Sequence, residues 1–580
     1  MSEKTAESGA APLPDWFPAW SKELADLYFS GTTCLFLLHG NVHDLVRVSN
    51  GGNDAWCNLP EFLATQLFGN WDVVLHYDLG RGLRPLAGSD AARLQTMVQR
   101  LSARLGDPGA WPRDPDQVLS LIDRYLERSL VDEADAKKRI AIVFAYSQYL
   151  APAGDLTALA RGDAARLVRL LGWAQNPYLK RANVAFCLIA DKLTELNDRL
   201  VQSPHTAAIH VPLPATDERR RFALAARLAA DAAERIADMT NGLSLVNLNV
   251  LLATRKAEGE SEAAGRFRQL KKTLIERQCQ GLVEFVEPKH TLDLVVGHTA
   301  ARRRLVEDAR WISQGRLDAA PMGYLITGPV GTGKTFLAEC YAGSIGIPCV
   351  KLRNFRSKYV GETEGNLEQV LTVLRSLGPV VVIIDEADAA LGSRRAEGDS
   401  GTSSRVFSMI ASQMGDTTYR GKIVWMLLTS RPDLLPIDLK RQGRAEVHIP
   451  LFYPQDADEL RQMFQAMARK NKISLAADAA SGVASDKQLS GADVESLALA
   501  ARRISLTAGR EQVTQADLAQ ALAEFLPSAQ GLEKEMQELA AVLECTQQSF
   551  LTEDWRKKIA QPDGRTKLQE RMAALRQSME

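Results

Sequence analysis

Gly328-Pro329-Val330-Gly331-Thr332-Gly333-Lys334-Thr335 follows directly on the apolar run 324–327 and leads into Phe336-Leu-Ala-Glu-Cys, a stretch of helix formers. The spacing G-x-x-x-x-G-K-[ST] has a mechanical meaning. Glycines let the backbone wrap until its N–H groups point inward at phosphate oxygens, and the helix that follows adds a favourable dipole. Lys334 brings a cation to the β- and γ-phosphates, and Thr335 offers a hydroxyl to Mg²⁺. Such a pattern arises by chance in long chains. A strand before it and a helix after it supply the context that makes it a phosphate loop.

About fifty residues downstream stands Val380-Val-Val-Ile-Ile-Asp385-Glu386-Ala-Asp388. Its β-branched run reads as a buried strand that delivers carboxylates at its C-terminal end, where ligands of α/β sheets bind. Asp385 is expected to hold Mg²⁺, directly or through its water shell. Glu386 is placed to orient and deprotonate an attacking water. With the phosphate loop, this acidic pair predicts ATP and Mg²⁺ as ligands and ATP hydrolysis as the reaction.

Working outward, short apolar runs of strand length recur at Cys349–Leu352, 423–428 and 447–449, followed by a helical pattern without strands from Tyr453 to about Leu526. The first half has a similar order. Runs at 34–38, 71–77, Ile140–Phe144 and Val184–Ile189 alternate with helical stretches at 59–68 and 217–233. Ile142 and Ile189 lie 47 residues apart, Ile383 and Leu428 45. Ile189 and Pro212 lie 23 apart, Leu428 and Pro450 22. Both halves then reach a similar phrase, Thr240-Asn-Gly-Leu-Ser-Leu-Val-Asn-Leu and Leu489-Ser-Gly-Ala-Asp-Val-Glu-Ser-Leu. Three coincidences in order indicate a duplicated α/β module, the first copy carrying an insertion over about 79–138.

Composition narrows the function classes. The 580 residues are too many for one core, and 70 basic against 71 acidic residues give a net charge of −1. That balance speaks against a polybasic nucleic-acid binder. Seven scattered cysteines, with no CxxC, read as thiols of a reducing compartment. No apolar run approaches the roughly 18 residues of a membrane helix, and the start lacks the features of a signal peptide. A cytoplasmic location is therefore expected.

The phosphate loop, the acidic strand and the downstream Leu427-Leu-Thr-Ser-Arg-Pro-Asp-Leu-Leu-Pro-Ile-Asp-Leu-Lys-Arg-Gln-Gly-Arg-Ala-Glu-Val-His-Ile-Pro-Leu451 together resemble the AAA family of ATPases over about residues 291–505. The resemblance implies a P-loop NTPase three-layer αβα module with a helical lid. In that family the first polar residue after the fourth strand, usually asparagine, senses the γ-phosphate. Ser430 stands at that position, and a side chain this short would work through water and slow the reaction. Arg441 and Arg444 match the family's arginine fingers, delivered to the neighbouring subunit's nucleotide in a homo-hexameric ring. Asp293-Leu-Val-Val296-Gly297 resembles the segment framing the adenine, and Ser490-Gly491-Ala492-Asp493 the start of the lid helix that closes over it.

Lys358-Tyr359-Val360-Gly361-Glu362 resembles the central pore loop of AAA remodelling enzymes, in which an aromatic ring grips an extended polypeptide without reading its sequence. Gly398-Asp-Ser-Gly-Thr-Ser-Ser-Arg405 falls at the second pore position, as a flexible polar loop. The first half lacks the chemistry. His39-Gly-Asn-Val-His43-Asp-Leu stands where a phosphate loop would be, and Phe144-Ala-Tyr-Ser where the acidic pair would be. Residues 31–260 thus resemble the degenerate amino-terminal ATPase-like module of a bacterial and plastid AAA group. No His-Glu-x-x-His occurs, which argues against the protease-fused branch.

The expected organisation is a disordered leader (1–30), a degenerate AAA-like α/β domain (31–214), its helical lid (215–260), a connector (261–295), an active AAA large domain (296–450), a helical lid domain (451–528) and a C-terminal helical extension (529–580). In the extension, Leu532, Met536, Leu539 and Leu543 form an apolar stripe that ends at Gln561-Pro-Asp-Gly, beyond which a second helix begins. The expected function is an ATP-driven protein remodeller working on a protein substrate or complex through a central pore. The alternative is an assembly switch on a larger complex without threading. A nucleic-acid motor fits the charge balance least.

Overall fold

A computed structural model describes residues 13–579 apart from 51–52, 132–137, 155–158, 257–268, 270, 354–361, 392–401, 484–488 and 527–530. The chain divides into two compact units at Ile275–Glu276, with residues 362–369 grouped with the first.

The first unit has strands β1 (Leu35–Gly40), β2 (Leu45–Asn50), β3 (Asn53–Asn58), β4 (Val73–Asp78), β5 (Gly82–Pro85), β6 (Ile140–Phe144), β7 (Val184–Ile189) and β8 (Thr206–Val211). Six of them form one sheet in the order β5-β4-β6-β7-β1-β8, while β2 and β3 pair as a separate hairpin. Within the sheet all pairs are parallel except β4–β5. β6 and β7 are buried along their whole length, as expected of strands covered on both faces.

The second unit has β9 (Val283–Val286), β10 (Gly323–Thr327), β11 (Cys349–Leu352), β12 (Val380–Ile384), β13 (Ile423–Thr429) and β14 (Val447–Pro450). Their order is β14-β10-β13-β12-β11-β9, parallel except for the β11–β9 edge. The two sheets thus share one plan, with β1, β6 and β7 in the places of β10, β12 and β13. In each an antiparallel strand closes the same edge. It comes from a hairpin after β4 in the first unit and from the segment ahead of β10 in the second.

Several expectations need correction. The leader expected over 1–30 does not reach 30. Ala19–Phe29 is a helix, and Trp20, Leu24 and Tyr28 enter the core of the first unit. The rings of Trp20 and Phe62 lie 5.6 Å apart and those of Tyr28 and Trp71 5.3 Å, so aromatic burial fixes this segment. The single helical pattern at 217–233 is two helices, Thr216–Ala225 and Ala230–Met239, separated where Arg227 adopts a left-handed φ of 67°. With Leu245–Lys256 they bury Phe222, Ile236, Leu248 and Leu252 in a helical core. Asp44, just ahead of β2, caps that last helix through the N–H groups of Leu245 and Val246 at 2.8 and 2.9 Å.

The connector expected over 261–295 is part of the second unit from Glu276 onward, since β9 pairs with β11. The lid helices Ala457–Lys470, Gly491–Thr507 and Gln515–Glu524 pack around Leu460, Phe464, Val494, Leu497 and Leu518. The described residues of the C-terminal extension form three α-helices, Gly531–Glu544, Glu553–Ala560 and Gly564–Met579, where two were expected. The buried positions of the helix Gly531–Glu544 are Met536, Gln537 and Leu539–Val542, while Leu532 is half exposed. Thr402–Arg405, expected in a flexible loop, form the first turn of the helix Thr402–Gly415. None of the described helices is long and apolar enough to cross a membrane.

Candidate active site

In the second unit β10, β12 and β13 end side by side, and a cleft of about 550 Å³ opens at their C-terminal ends. This is the ligand position of open α/β sheets, and the size suits a small molecule. Gly331, Gly333, Lys334, Thr335 and Phe336 line it from the phosphate loop, together with Val330. Asp385, Glu386 and Asp388 line it from the end of β12, Thr429 and Ser430 from the end of β13. Met467, Lys470, Gly491, Ala492 and Glu495 enclose it from the lid. Helix Lys334–Ile345 starts in the cleft and stops at Gly346, which takes the left-handed φ of 75° usual at a helix C-terminus.

Two glycines are demanded by close approach. Gly328 has φ 137°, and a Cβ there would lie 2.3 Å from the carbonyl oxygen of Leu451. Gly331 has φ 84°, and a Cβ would lie 2.7 Å from Ser490 of the lid. The carbonyl of Gly331 accepts the N–H of Gly491 at 2.9 Å, so the lid helix begins directly on the phosphate loop. Ser490 and Asp493 cap that helix reciprocally.

Lys334 Nζ donates to the carbonyls of Gly328 and Pro329 at 2.8 and 2.9 Å. Gly328 and Pro329 therefore act through the lysine and are not among the cleft's lining residues. Burial pushes the Lys334 ammonium down to about 8, while Asp385 and Asp388 pull it back up. Asp385 Oδ2 accepts from Thr335 Oγ1 at 3.1 Å and from Lys351 Nζ, on β11, at 2.7 Å. Glu386 sits in the left-handed region with φ 47°, its N–H donating to Asp385 Oδ1 at 3.0 Å. A non-glycine residue there is a local cost that the surroundings must sustain. Thr429 Oγ1 donates to Asp388 Oδ1 at 2.7 Å and accepts the N–H of Arg431 at 2.9 Å. Thr429 thus anchors the β12 and β13 loops to each other, and Ser430 beside it faces the cleft.

A narrower slot adjoins the cleft, lined by Leu294, Val295, Val296, His298, Thr332, Phe336, Leu451, Met463 and Met467. Burial pushes His298 down to about 4, so the slot carries no charge from it at neutral pH. An apolar slot of this kind suits a flat heterocycle. Gly297 turns the chain between Val296 and His298 with φ 71°. Lys470 bonds Glu495 at 2.9 Å and stands 5.4 Å over the Phe336 ring.

The structure does not bring Arg441 or Arg444 to this cleft. The Arg441 side chain is 60% exposed, 3.8 Å from Asp438. That of Arg444 is 13% exposed, and its guanidinium donates to the Asp438 carbonyl at 2.7 Å. Lys358, Tyr359 and Val360 lie outside the described residues. Residues unmarked by sequence reasoning are Lys351, Thr429, His298, Lys470 and Glu495. Lys351 did carry a signal, as the one charge in an otherwise apolar strand, Cys-Val-Lys-Leu. The others are ordinary residues until the fold assembles them.

The equivalent place in the first unit is instructive. Gly40, the last residue of β1, has φ 98°, and a Cβ there would meet the Val211 carbonyl oxygen at 2.7 Å, much as at Gly328. Tyr146, two residues after β6, has φ 54° and holds the place that Glu386 takes after β12. His43 pairs with Asp191 at 2.5 Å and stacks on Tyr146 at 5.3 Å, and the bond to Asp191 raises the His43 pKa. Backbone turns have been kept where the phosphate-binding and acidic side chains are missing. Among the described residues no group of three or more His, Cys, Asp or Glu could hold a metal ion.

Comparisons with known proteins agree with this division. Residues 11–212 match the AAA+ chaperone N-terminal Rossmann-like domain, 217–280 the AAA+ chaperone second helical domain, and 324–453 the ATPase family associated with various cellular activities. The chain is 30% identical over 288 residues to ATP-dependent zinc metalloprotease FtsH 3 of Sphaerobacter thermophilus, covering 48% of this chain and 56% of that one. It is 26% identical over 295 residues to the Cell division cycle protein 48 homolog of Archaeoglobus fulgidus, covering 46% and 40%. Protein SAV of Sulfolobus acidocaldarius is 31% identical over 181 residues, covering 30% and 23%. The chain thus spans about half the length, or less, of these relatives.

Proposed function

Because this chain belongs to the AAA+ ATPases, with an amino-terminal module ahead of its ATPase domain, we propose that it binds ATP with Mg²⁺ in the cleft of its second unit and uses hydrolysis to remodel a protein partner. The observation that carries this reading is the convergence of Lys334, Thr335, Asp385 and Glu386 on one cleft roofed by Gly491 and Ala492. The glycine cradle and the paired hydroxyl and carboxylate fit a triphosphate and a hard cation. Mg²⁺, when bound, neutralises phosphate charge.

Each protein group then has a distinct task. Lys334 exchanges its two loop carbonyls for phosphate oxygens. Thr335 and Asp385 hold the metal and its waters. Glu386 orients and deprotonates water, its backbone already turned by the left-handed φ. Thr429 keeps the acidic loop in register, and Ser430 reaches toward the γ-phosphate. The apolar slot from Val296 to Met467 takes the base. Arg441 is offered to a neighbouring copy in a ring, which we take to be a homo-hexamer. Tyr359 grips the substrate polypeptide, and the first unit, without its own ATP chemistry, presents it.

A pulldown tests the remodelling part. Glu386→Gln, which retains ATP, should enrich one protein or complex over wild type, and Tyr359→Ala in that background should lose it. Retention of the partner without Tyr359 would instead favour an ATP-driven assembly switch.

Lys351 modifies the metal site. Its ammonium sits on the same Asp385 oxygen that Thr335 bonds, so bound Mg²⁺ and Lys351 compete for one carboxylate. Lys351→Met leaves Asp385 uncompensated, which repels ATP without metal and attracts Mg²⁺ more strongly. The ratio of ATP affinities with and without Mg²⁺ should then rise about three- to tenfold, in keeping with a partly buried ion pair. Fluorescent-nucleotide titrations in Mg²⁺ and in EDTA measure it, and an unchanged ratio rules the competition out.

A further inference from the structure

The helix Gly531–Glu544 of the C-terminal extension reaches the backbone N–H of one phosphate-loop residue. Gln537 Oε1 accepts the N–H of Val330 at 3.0 Å. On the other side, Tyr453 donates its hydroxyl to the Val330 carbonyl at 3.0 Å. The same helix supports Tyr453, since Lys534 Nζ stands 5.5 Å from the centre of its ring. Gln537 is only 3% exposed, and its Nε2 donates to Glu533 at 3.3 Å, which turns the oxygen toward the loop. The Val330 side chain is itself exposed, so it supplies little packing to hold the loop.

Two more ties run from the extension to the segments around the cleft. Glu544 pairs with Lys440, the residue before Arg441. Arg576 pairs with Asp433, which also bonds Arg431 at 3.0 Å, next to Ser430. A glycine-rich loop has more conformational freedom to lose than other segments when it closes on phosphate. Fixing it beforehand removes part of that loss and so tightens binding.

We infer that Gln537 is a positioning residue for the nucleotide, through which the C-terminal extension sets the shape of the phosphate loop and hence the affinity for ATP. The inference rests on the cleft being the ATP site. Gln537→Leu keeps the volume and removes the acceptor, leaving the Val330 N–H without its partner. With the full chain and a fluorescent ATP analogue, it should raise the dissociation constant three- to tenfold. KM for ATP should follow, with kcat at saturating ATP within twofold of wild type and the melting temperature without nucleotide nearly unchanged. Tyr453→Phe deletes one atom, and with it the opposite bond, and should shift affinity in the same direction. Leu539→Ala, a buried residue on the same helix, should lower the melting temperature and leave affinity alone.

Wild-type affinity in both Gln537→Leu and Tyr453→Phe would overturn the inference. So would a loss of affinity in Leu539→Ala as large as in Gln537→Leu, which would make the extension a structural support only. Lys334→Ala separates the two levels. If wild type binds ATP no better than Lys334→Ala, the ATP site itself is misassigned and both readings fall.

Discussion

Glu386→Gln is expected to bind ATP as tightly as wild type and to hydrolyse it at least a hundredfold more slowly. The amide keeps the shape of the side chain, so the left-handed turn at Glu386 and the bond from its N–H to Asp385 persist. What is lost is the base, and a positioned base is worth about 10²–10⁴ in rate. Lys334, Thr335 and Asp385 are untouched, so nucleotide affinity has no reason to fall. Single-turnover hydrolysis and equilibrium binding, measured on the same preparation, separate the two. A loss of affinity equal to the loss of rate would mean that Glu386 serves binding. A rate within tenfold of wild type would move the base elsewhere, with Asp388 another carboxylate lining the cleft.

Arg441→Ala should lower the rate by about 10³ or more at near-normal ATP affinity, the effect of removing a transition-state guanidinium. Arg441 and Arg444 differ in availability. Arg441 is 60% exposed and held only loosely by Asp438. Arg444 donates to the main-chain carbonyl of Asp438 and is mostly buried, so Arg444→Ala should cost stability before it costs chemistry. Because neither lines the cleft of its own chain, the rate effect should be rescued between subunits. Arg441→Ala and Lys334→Ala are each expected to be inactive alone and to regain part of the ATPase activity when mixed. A mixture that stays inactive, with stable rings present, would place the finger within one chain. Retention of the wild-type rate in Arg441→Ala with loss in Arg444→Ala would exchange their roles.

Much of the candidate active site was legible in the sequence because it depends on local chain geometry. A phosphate loop needs glycine at fixed intervals, and Gly328 and Gly331 are required by contacts with Leu451 and Ser490 that no side chain would permit. The Val380–Ile384 strand could be read because five β-branched residues in a row fit only a strand buried on both faces. The duplicated plan was visible as spacing, since equal strand intervals reflect equal sheet order. The amino-terminal boundary was misread. Only residues 1–14 are small and polar, whereas Trp20 and Tyr28 find aromatic partners at Phe62 and Trp71, far along the chain.

By itself, then, the sequence determined the phosphate loop, the acidic pair and the αβα plan, because glycine conformation, β-branching and residue spacing act within a few residues of themselves. Only the tertiary structure decided that Lys351 shares Asp385 with Thr335, that Thr429 rather than Ser430 bonds Asp388, and that Gln537 holds Val330 from 207 residues away. Those partners meet through sheet order and helix packing. A lysine, a threonine or a glutamine has no local signature of the distant group it will meet, and its role exists only once the fold has brought the two within hydrogen-bond reach.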